Sequence, residues 1–123
     1  MHIYQHYAAR GGHEDIVRLL IESRCNVNIQ THAGSTALMR AAYCNHASIA
    51  HMLIQAGANA LTRDADGRTC LHKAVEGGAV SVVTLLLTHS PDLANTPDNR
   101  GTTPRELAAS DRTLTCLFQL QIE

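Results

Sequence analysis

A pattern of glycine, threonine, alanine and leucine recurs along the chain every 33 or 34 residues. Thr36 is followed by Thr69 and Thr103, and each threonine has a glycine two residues before it. A period of this length is typical of a stack of small supersecondary units that contact only their neighbours. Such stacks present long surfaces and seldom carry chemistry, so the period favours a binding or structural role over an enzyme.

The composition restricts the class of protein further. The chain has 123 residues, of which 45% are apolar and 17% charged, as in one globular domain. A formal net charge of −1 and three tyrosines supply no basic stripe with stacking rings, so we expect no nucleic-acid binding. The apolar runs are too short to cross a membrane. Four widely spaced cysteines are interpreted as small buried or half-buried thiols in a reducing, intracellular setting, cytoplasmic or nuclear.

The clearest copy of the repeat predicts two short antiparallel helices. Residues 64–67 have turn chemistry, and Thr69 stands where the hydroxyl of an N-cap residue would lie. The first helix is expected to run through Glu76 and to end at two glycines, and the second to cover residues 80–88. Helices of this length are unstable alone in water, so neighbouring copies must bury their apolar faces.

These residues resemble the ankyrin repeat. The family's Thr-Pro-Leu-His motif is matched at residues 69–72, its Ala-Ala-x-x-Gly-His motif at 8–13, and its Ile-Val and Leu-Leu pairs at 16–20. The resemblance implies an all-α ankyrin-repeat solenoid of about four stacked helix-turn-helix units joined by β-hairpin-like loops. One domain would cover residues 1–123, with units near 1–30, 31–63, 64–97 and 98–123.

The first unit is expected to be incomplete. It has no turn motif, and residues 3–6 stand directly in the place of the tetrapeptide. We therefore expect the chain to begin inside a repeat, with further repeats or a longer parent upstream.

The last unit is expected to be a polar cap. Gln119 and Gln121 replace apolar residues of the other copies, and Arg105 replaces a leucine. A terminal unit of a solenoid needs such a polar outer face. The outer stripe would include Arg112 and Thr115, whereas Cys116, Leu117 and Leu120 would face inward.

The eight histidines do not predict a metal site. His6 and His72 occupy the last position of the tetrapeptide, where the resemblance implies an imidazole bonded to the threonine hydroxyl and neighbouring backbone. His13 and His46 occupy the Gly-His position that begins a second helix. No nucleophile elbow or phosphate loop is present in the sequence. We therefore expect no metal, no cofactor and no catalysis.

The resemblance implies that partners bind on the concave side, at the loop tips and the later positions of each first helix. These positions carry a mild excess of basic residues, which favours a partner with some acidic character. Tyr43 is the leading candidate for an anchor, because tyrosine and arginine dominate interface hot spots. The alternative is a structural spacer, or an assembly surface that docks on another domain or on a second copy. The candidate partner-binding residues are Arg10, His32, Ser35, Arg40, Tyr43, Asp66, Arg68, Lys73, Glu76 and Arg100.

Overall fold

The computed structural model describes the backbone of residues 4–120 and the side chains of residues 5–119. This part of the chain contains eight α-helices and two 3₁₀ helices, and no strand. The predicted all-α class is confirmed. The α-helices are α1 (Tyr4–Gly11), α2 (Glu14–Glu22), α3 (Ala37–Tyr43), α4 (Ala47–Gln55), α5 (Cys70–Glu76), α6 (Val80–His89), α7 (Pro104–Leu107) and α8 (Arg112–Leu120), and the 3₁₀ helices are Pro91–Asn95 and Ala108–Ser110.

The helices form two layers that follow the order of the chain. The first helices of the pairs (α1, α3, α5 and α7) pack side by side, each on the next, and the second helices (α2, α4, α6 and α8) do the same. The first helices α1, α3 and α5 also pack on the second helices that follow them, and in the last unit both α7 and α8 pack on the 3₁₀ helix Ala108–Ser110. This is the arrangement of a helix-pair solenoid, in which every pair contacts only its neighbours.

Small residues allow the first helices to approach closely. Ala8, Ala41 and Ala74 occupy corresponding positions in α1, α3 and α5, and Ala108 occupies that position at the start of the 3₁₀ helix after α7; all four are buried. Because an alanine side chain is one methyl group, successive first helices can pack almost backbone to backbone at this level. Larger aliphatic residues, chiefly leucine, isoleucine and valine, fill the space between the two layers.

One of the repeating threonines is the N-cap residue directly before each of the three later first helices. The hydroxyl of Thr36 accepts a hydrogen bond from the backbone N–H of Met39 at 3.2 Å. Thr69 and Thr103 each form a reciprocal capping box with the third residue of the helix, which is His72 in α5 and Glu106 in α7. These bonds satisfy N–H groups that have no partner inside the helix.

The loops between units are closed turns that pair with one another. In each loop a backbone N–H donates to a carbonyl four residues later, as between Asp64 and Arg68 at 2.9 Å. Adjacent loops are joined as well, because the N–H of Ala65 donates to the carbonyl of Ala33 at 2.8 Å. Gly34 is required here: its φ is +82°, and a Cβ would lie 2.8 Å from the Cα of Asp64.

The last helix corrects one expectation about the polar cap. Cys116 was expected to face inward but is exposed, whereas Leu114 and Phe118 are buried, each 1% exposed. Residues four apart share a helix face, so the face of Leu114 and Phe118 leaves Cys116 on the outside. Leu117 is half-buried, and Arg112 and Gln119 are exposed as expected. Gln121 and the side chain of Leu120 lie outside the described residues.

Arg105 packs inward at the same end of the stack. Its guanidinium lies 5.7 Å from the centre of the Phe118 ring, and its Nη1 donates to the Phe118 carbonyl at 3.1 Å. The arginine therefore covers the ring and satisfies a backbone acceptor in α8, in addition to adding polarity to the cap.

The cysteines are more exposed than expected. Cys70 is buried and Cys44 is half-buried, but Cys25 and Cys116 are exposed. Cys25 follows the end of α2 in the first helix pair, which has a neighbouring pair on only one side in the described part of the chain. The interpretation as buried or half-buried thiols is therefore wrong for Cys25 and Cys116.

Candidate functional site

The first helices and the loop tips enclose a groove of about 500 Å³, which we call the main groove. Three consecutive helix pairs and the loops between them contribute to it, which requires the stacked arrangement. Its lining residues are Arg10, Ala33, Ser35, Met39, Arg40, Tyr43, Cys44, Asp64, Ala65, Asp66 and Lys73.

Tyr43 is the aromatic residue of the main groove. It is the last residue of α3, and its side chain is 53% exposed. Arg40 stands three residues earlier on the same helix, so the two side chains lie on neighbouring parts of one face. A second exposed tyrosine, Tyr7, lies on α1 beside a smaller cavity of about 150 Å³.

An ion-pair network adjoins the end of the main groove nearer α5, and its members Asp64 and Lys73 line the groove itself. Arg68 lies 2.7 Å from Glu76 and 3.1 Å from Asp98, and Lys73 lies 3.5 Å from Glu76 and from Asp64. Burial opposes the charge of Arg68, but the two carboxylates outweigh it and raise the pKa of the guanidinium. Both cations at this end are therefore neutralised by carboxylates of the protein itself.

Asp98 is a structural member of this network. The backbone N–H of Thr102 donates to the Asp98 carboxylate at 2.9 Å, and this bond is the main cause of a lowered pKa for Asp98. Burial acts in the opposite direction, and the N–H of Arg100 and the guanidinium of Arg68 add to the lowering. The Asp98 carboxylate thus bonds two backbone N–H groups of its own loop and forms an ion pair with Arg68 of the preceding unit.

The opposite end of the groove has arginines without acidic partners. Arg10 and Arg40 both line the main groove and the smaller cavity, which also contacts His6, Tyr7 and Thr31. Among the described side chains, no carboxylate lies within 4.0 Å of either guanidinium. The Nε of Arg40 is buried and has no hydrogen-bond partner within this part of the chain.

The structure brings six of the ten candidate residues together in the main groove: Arg10, Ser35, Arg40, Tyr43, Asp66 and Lys73. Arg68 and Arg100 line a separate cavity of about 260 Å³. His32 is exposed but lines none of these cavities, and Glu76 takes part through its ion pairs. The five other lining residues, Ala33, Met39, Cys44, Asp64 and Ala65, are not among the ten candidates, and Asp64 was interpreted only as a turn residue. That these residues contact a partner remains a prediction.

The described residues hold neither a cluster of metal ligands nor a membrane-spanning helix. No three His, Cys, Asp or Glu side chains there are grouped so that they could hold a metal ion. No helix among these residues combines the length and apolar character needed to span a membrane. Some histidines have structural partners instead: Nε2 of His46 lies 3.0 Å from the carbonyl oxygen of Arg10.

Two family models described as ankyrin repeats match the chain, one over residues 4–64 and the other over residues 53–108. The chain belongs to the ankyrin-repeat family. The stacked helix pairs and paired loops are those of an ankyrin-repeat solenoid, as the sequence predicted. Ankyrin repeats are protein–protein interaction modules and are not themselves catalytic.

The chain is similar to parts of much longer curated relatives and spans less than a fifth of the length of each one described below. A probable E3 ubiquitin-protein ligase of Oryza sativa subsp. japonica is 43% identical over 83 residues, which is 67% of this chain and 16% of that protein. A mouse (Mus musculus) protein fem-1 homolog A-like is 36% identical over 92 residues, 75% of this chain and 14% of the relative. The nuclear factor NF-kappa-B p105 subunit of Mus musculus is 32% identical over 108 residues, 85% of this chain and 11% of the relative. The ligase name describes a whole protein, of which the matched repeats are a small part.

Proposed function

We propose that this ankyrin-repeat domain is a non-catalytic scaffold module that binds a partner protein or peptide through the main groove, inside the cell, in the cytoplasm or the nucleus. Its proposed units are residues 1–30, 31–63, 64–97 and 98–123. The main groove carries the proposal, because three consecutive helix pairs line it and Tyr43 stands exposed within it.

The chemistry of the main groove fits a peptide-binding surface. Its volume of about 500 Å³ accommodates several side chains of a partner. Tyr43 offers a rigid apolar ring with a hydroxyl, and the neighbouring Arg40 offers a planar cation. These are the residue types that supply most of the binding energy at protein interfaces.

The same lining supports binding over catalysis. Cys44 is the thiol of the main groove, but no histidine is among the other lining residues to act as its base. Lys73 is held by two carboxylates. No nucleophile, base and orienting group converge there, as an enzyme of this kind would require.

The test is a comparison of captured proteins between Tyr43→Ala and a matched control. His51→Ala is suitable, because His51 is exposed on α4, in the layer of second helices. Each immobilised variant is incubated with the same lysate, and bound proteins are quantified by mass spectrometry. We expect a set of proteins that is retained by wild type and His51→Ala and reduced about fivefold or more by Tyr43→Ala. Equal capture by all three forms would remove the groove as the binding surface.

A second candidate function is self-association through α2. Ile16 and Leu19 on this helix are 47% and 62% exposed, whereas Ile49 and Val82, which correspond to Ile16 in later units, are buried. Two copies of the chain could cover these apolar side chains by packing α2 against α2. Light scattering over a concentration series tests this candidate. The candidate is supported if the mass of the wild type increases with concentration while that of Ile16→Ser/Leu19→Ser stays at the monomer value. A wild-type mass that stays at the monomer value rejects it.

A further inference from the structure

Positive charge is divided unequally along the main groove. The sequence places five basic residues together, as a mild excess over Asp66, Glu76 and Asp111: Arg10, Arg40, Arg68, Lys73 and Arg100. The structure separates them, because Arg68 and Lys73 are each held by two carboxylates and Arg100 lines a separate cavity. Arg10 and Arg40 have no carboxylate within 4.0 Å among the described side chains. The available positive charge is therefore confined to the end of the groove formed by α1 and α3.

The Arg40 side chain is partly withdrawn from water. The residue is half-buried, and its Nε is fully buried without an acceptor in the described part of the chain. A guanidinium that has lost some of its hydration interacts more strongly with an anion than a fully solvated one. Because it lies within a groove wall, its position is also restricted before a partner binds, which lowers the entropic cost of binding.

We propose that the Arg10 and Arg40 end of the main groove binds the carboxylate of an aspartate or glutamate side chain in the partner. Tyr43 and Tyr7 flank the arginines and would pack against the neighbouring residues of that segment. Guanidinium groups match carboxylates geometrically, because two N–H groups point in parallel at two oxygens. This inference rests on the proposed function and specifies which chemical group the groove recognises.

A carboxylate suits the site better than a phosphate. Asp64 and Asp66 also line the main groove, so any anion bound there experiences repulsion from two acidic residues. The charged lining residues, Arg10, Arg40 and Lys73 against Asp64 and Asp66, leave one net positive charge in the main groove. One carboxylate neutralises that charge, whereas a phosphoryl group, with its charge near −2, exceeds it. The ion-pair network at the α5 end offers no alternative, since an incoming anion would have to displace an internal carboxylate from Arg68 or Lys73.

The test uses short random-sequence peptides displayed on phage and selected on the full chain. Peptides that bind wild type but not Tyr43→Ala are synthesised with a fluorescent label, and affinities are measured by anisotropy. The protein variants are Arg10→Gln, Arg40→Gln and the double variant. The matched control is Arg63→Gln, which removes the same charge from an exposed residue outside the main groove. Arg40→Lys, which keeps the charge and loses the planar fork, serves as the second variant if Arg40→Gln does not fold.

We expect the selected peptides to share an Asp or Glu, and the double variant to bind them at least about tenfold more weakly. Arg63→Gln should change the affinity less than about threefold. Replacing the peptide's acid by its amide should weaken binding to wild type by a similar factor and have little further effect on the double variant. The affinity should fall as ionic strength rises.

Different failures have different meanings. Peptides that depend on Tyr43 but tolerate both the amide and the arginine substitutions overturn the carboxylate site and leave the proposed function standing. If every selected peptide binds Tyr43→Ala as well as wild type, the proposed function fails too. If phosphoserine in place of the acid binds more than about tenfold tighter, the site recognises phosphate and the carboxylate assignment is wrong.

Discussion

The imidazole of His72 connects two neighbouring units, and its removal should be among the most damaging single changes to this solenoid. The side chain is fully buried. Nδ1 lies 3.1 Å from both the backbone nitrogen and the hydroxyl of Thr69, and Nε2 lies 2.9 Å from the carbonyl oxygen of Thr102. Because Nδ1 accepts the Thr69 N–H, Nε2 carries the proton and donates to Thr102.

His72→Ala leaves the N–H of Thr69 and the carbonyl of Thr102 without these partners. One unsatisfied buried polar group costs about 1–3 kcal/mol, and the missing ring adds a cavity. We expect a loss of roughly 3–5 kcal/mol from a total stability of roughly 6–18 kcal/mol, which is the usual range for a chain of 123 residues. The helix would lose its capping box, and the next loop would lose its link to α5.

His6 provides a matched comparison at the corresponding position of the first unit. Its Nε2 lies 3.0 Å from the carbonyl oxygen of Ser35, but its buried Nδ1 has no partner in the described part of the chain. His6→Ala therefore removes one hydrogen bond together with one unsatisfied atom, and should cost about 1–2 kcal/mol.

Urea denaturation followed by far-ultraviolet circular dichroism measures both losses. His51→Ala, at an exposed position, is expected to change the free energy of unfolding by less than about 0.5 kcal/mol. A His72→Ala loss no larger than that of His6→Ala would refute the assignment of the ring as an inter-unit link.

Three further outcomes follow from individual contacts. Burial lowers the pKa of His72, so the unfolded chain binds more protons than the folded chain below about pH 6.5. The free energy of unfolding should therefore fall as the pH decreases from about 7 to 5. Urea midpoints measured over this pH range should depend less on pH in His72→Ala than in wild type. A Cβ at Gly77 would collide with the backbone carbonyl of Tyr43, so Gly77→Ala should lower the free energy of unfolding by about 2 kcal/mol or more in the same assay. A Cβ at Gly78 would meet open space, so Gly78→Ala should lower it by only about 1 kcal/mol, the cost of a side chain at φ +64°. Burial raises the pKa of the Cys70 thiol to about 12. A disulfide reagent should therefore modify the exposed Cys25 and Cys116 in the folded protein, and Cys70 only after unfolding. Rapid modification of Cys70 in the folded protein would contradict its burial.

The sequence predicted the repeating parts of the structure well, because local chemistry determines them. Thr36 and Thr69 cap their helices, and α5 ends at Glu76 before the glycines, as expected. The bond between His72 and Thr69, which the family resemblance implied, is present. In each case the interacting residues lie within a few positions of one another, so a short stretch of sequence contains the whole interaction.

The electrostatics of the groove could not be predicted in the same way. Arg68 and Asp98 are 30 residues apart, and their ion pair depends on how one unit is placed on the next. The predicted basic excess also left out Asp64, which lies in the predicted turn at residues 64–67, and Asp98. Cys116 was misplaced for a related reason: the inward face of α8 is chosen by contacts with α6, and the repeat alignment alone did not specify it.

Hydrogen–deuterium exchange of the chain, free and bound to a Tyr43-dependent peptide, tests most directly whether the groove is the interaction surface. We predict slower exchange in the bound form for the loops over residues 31–36 and 64–68 and for the C-terminal end of α3, with α4 and α6 unchanged. Protection confined to α4 and α6, with the loops and α3 unaffected, would place the partner on the opposite layer and contradict the proposed binding mode.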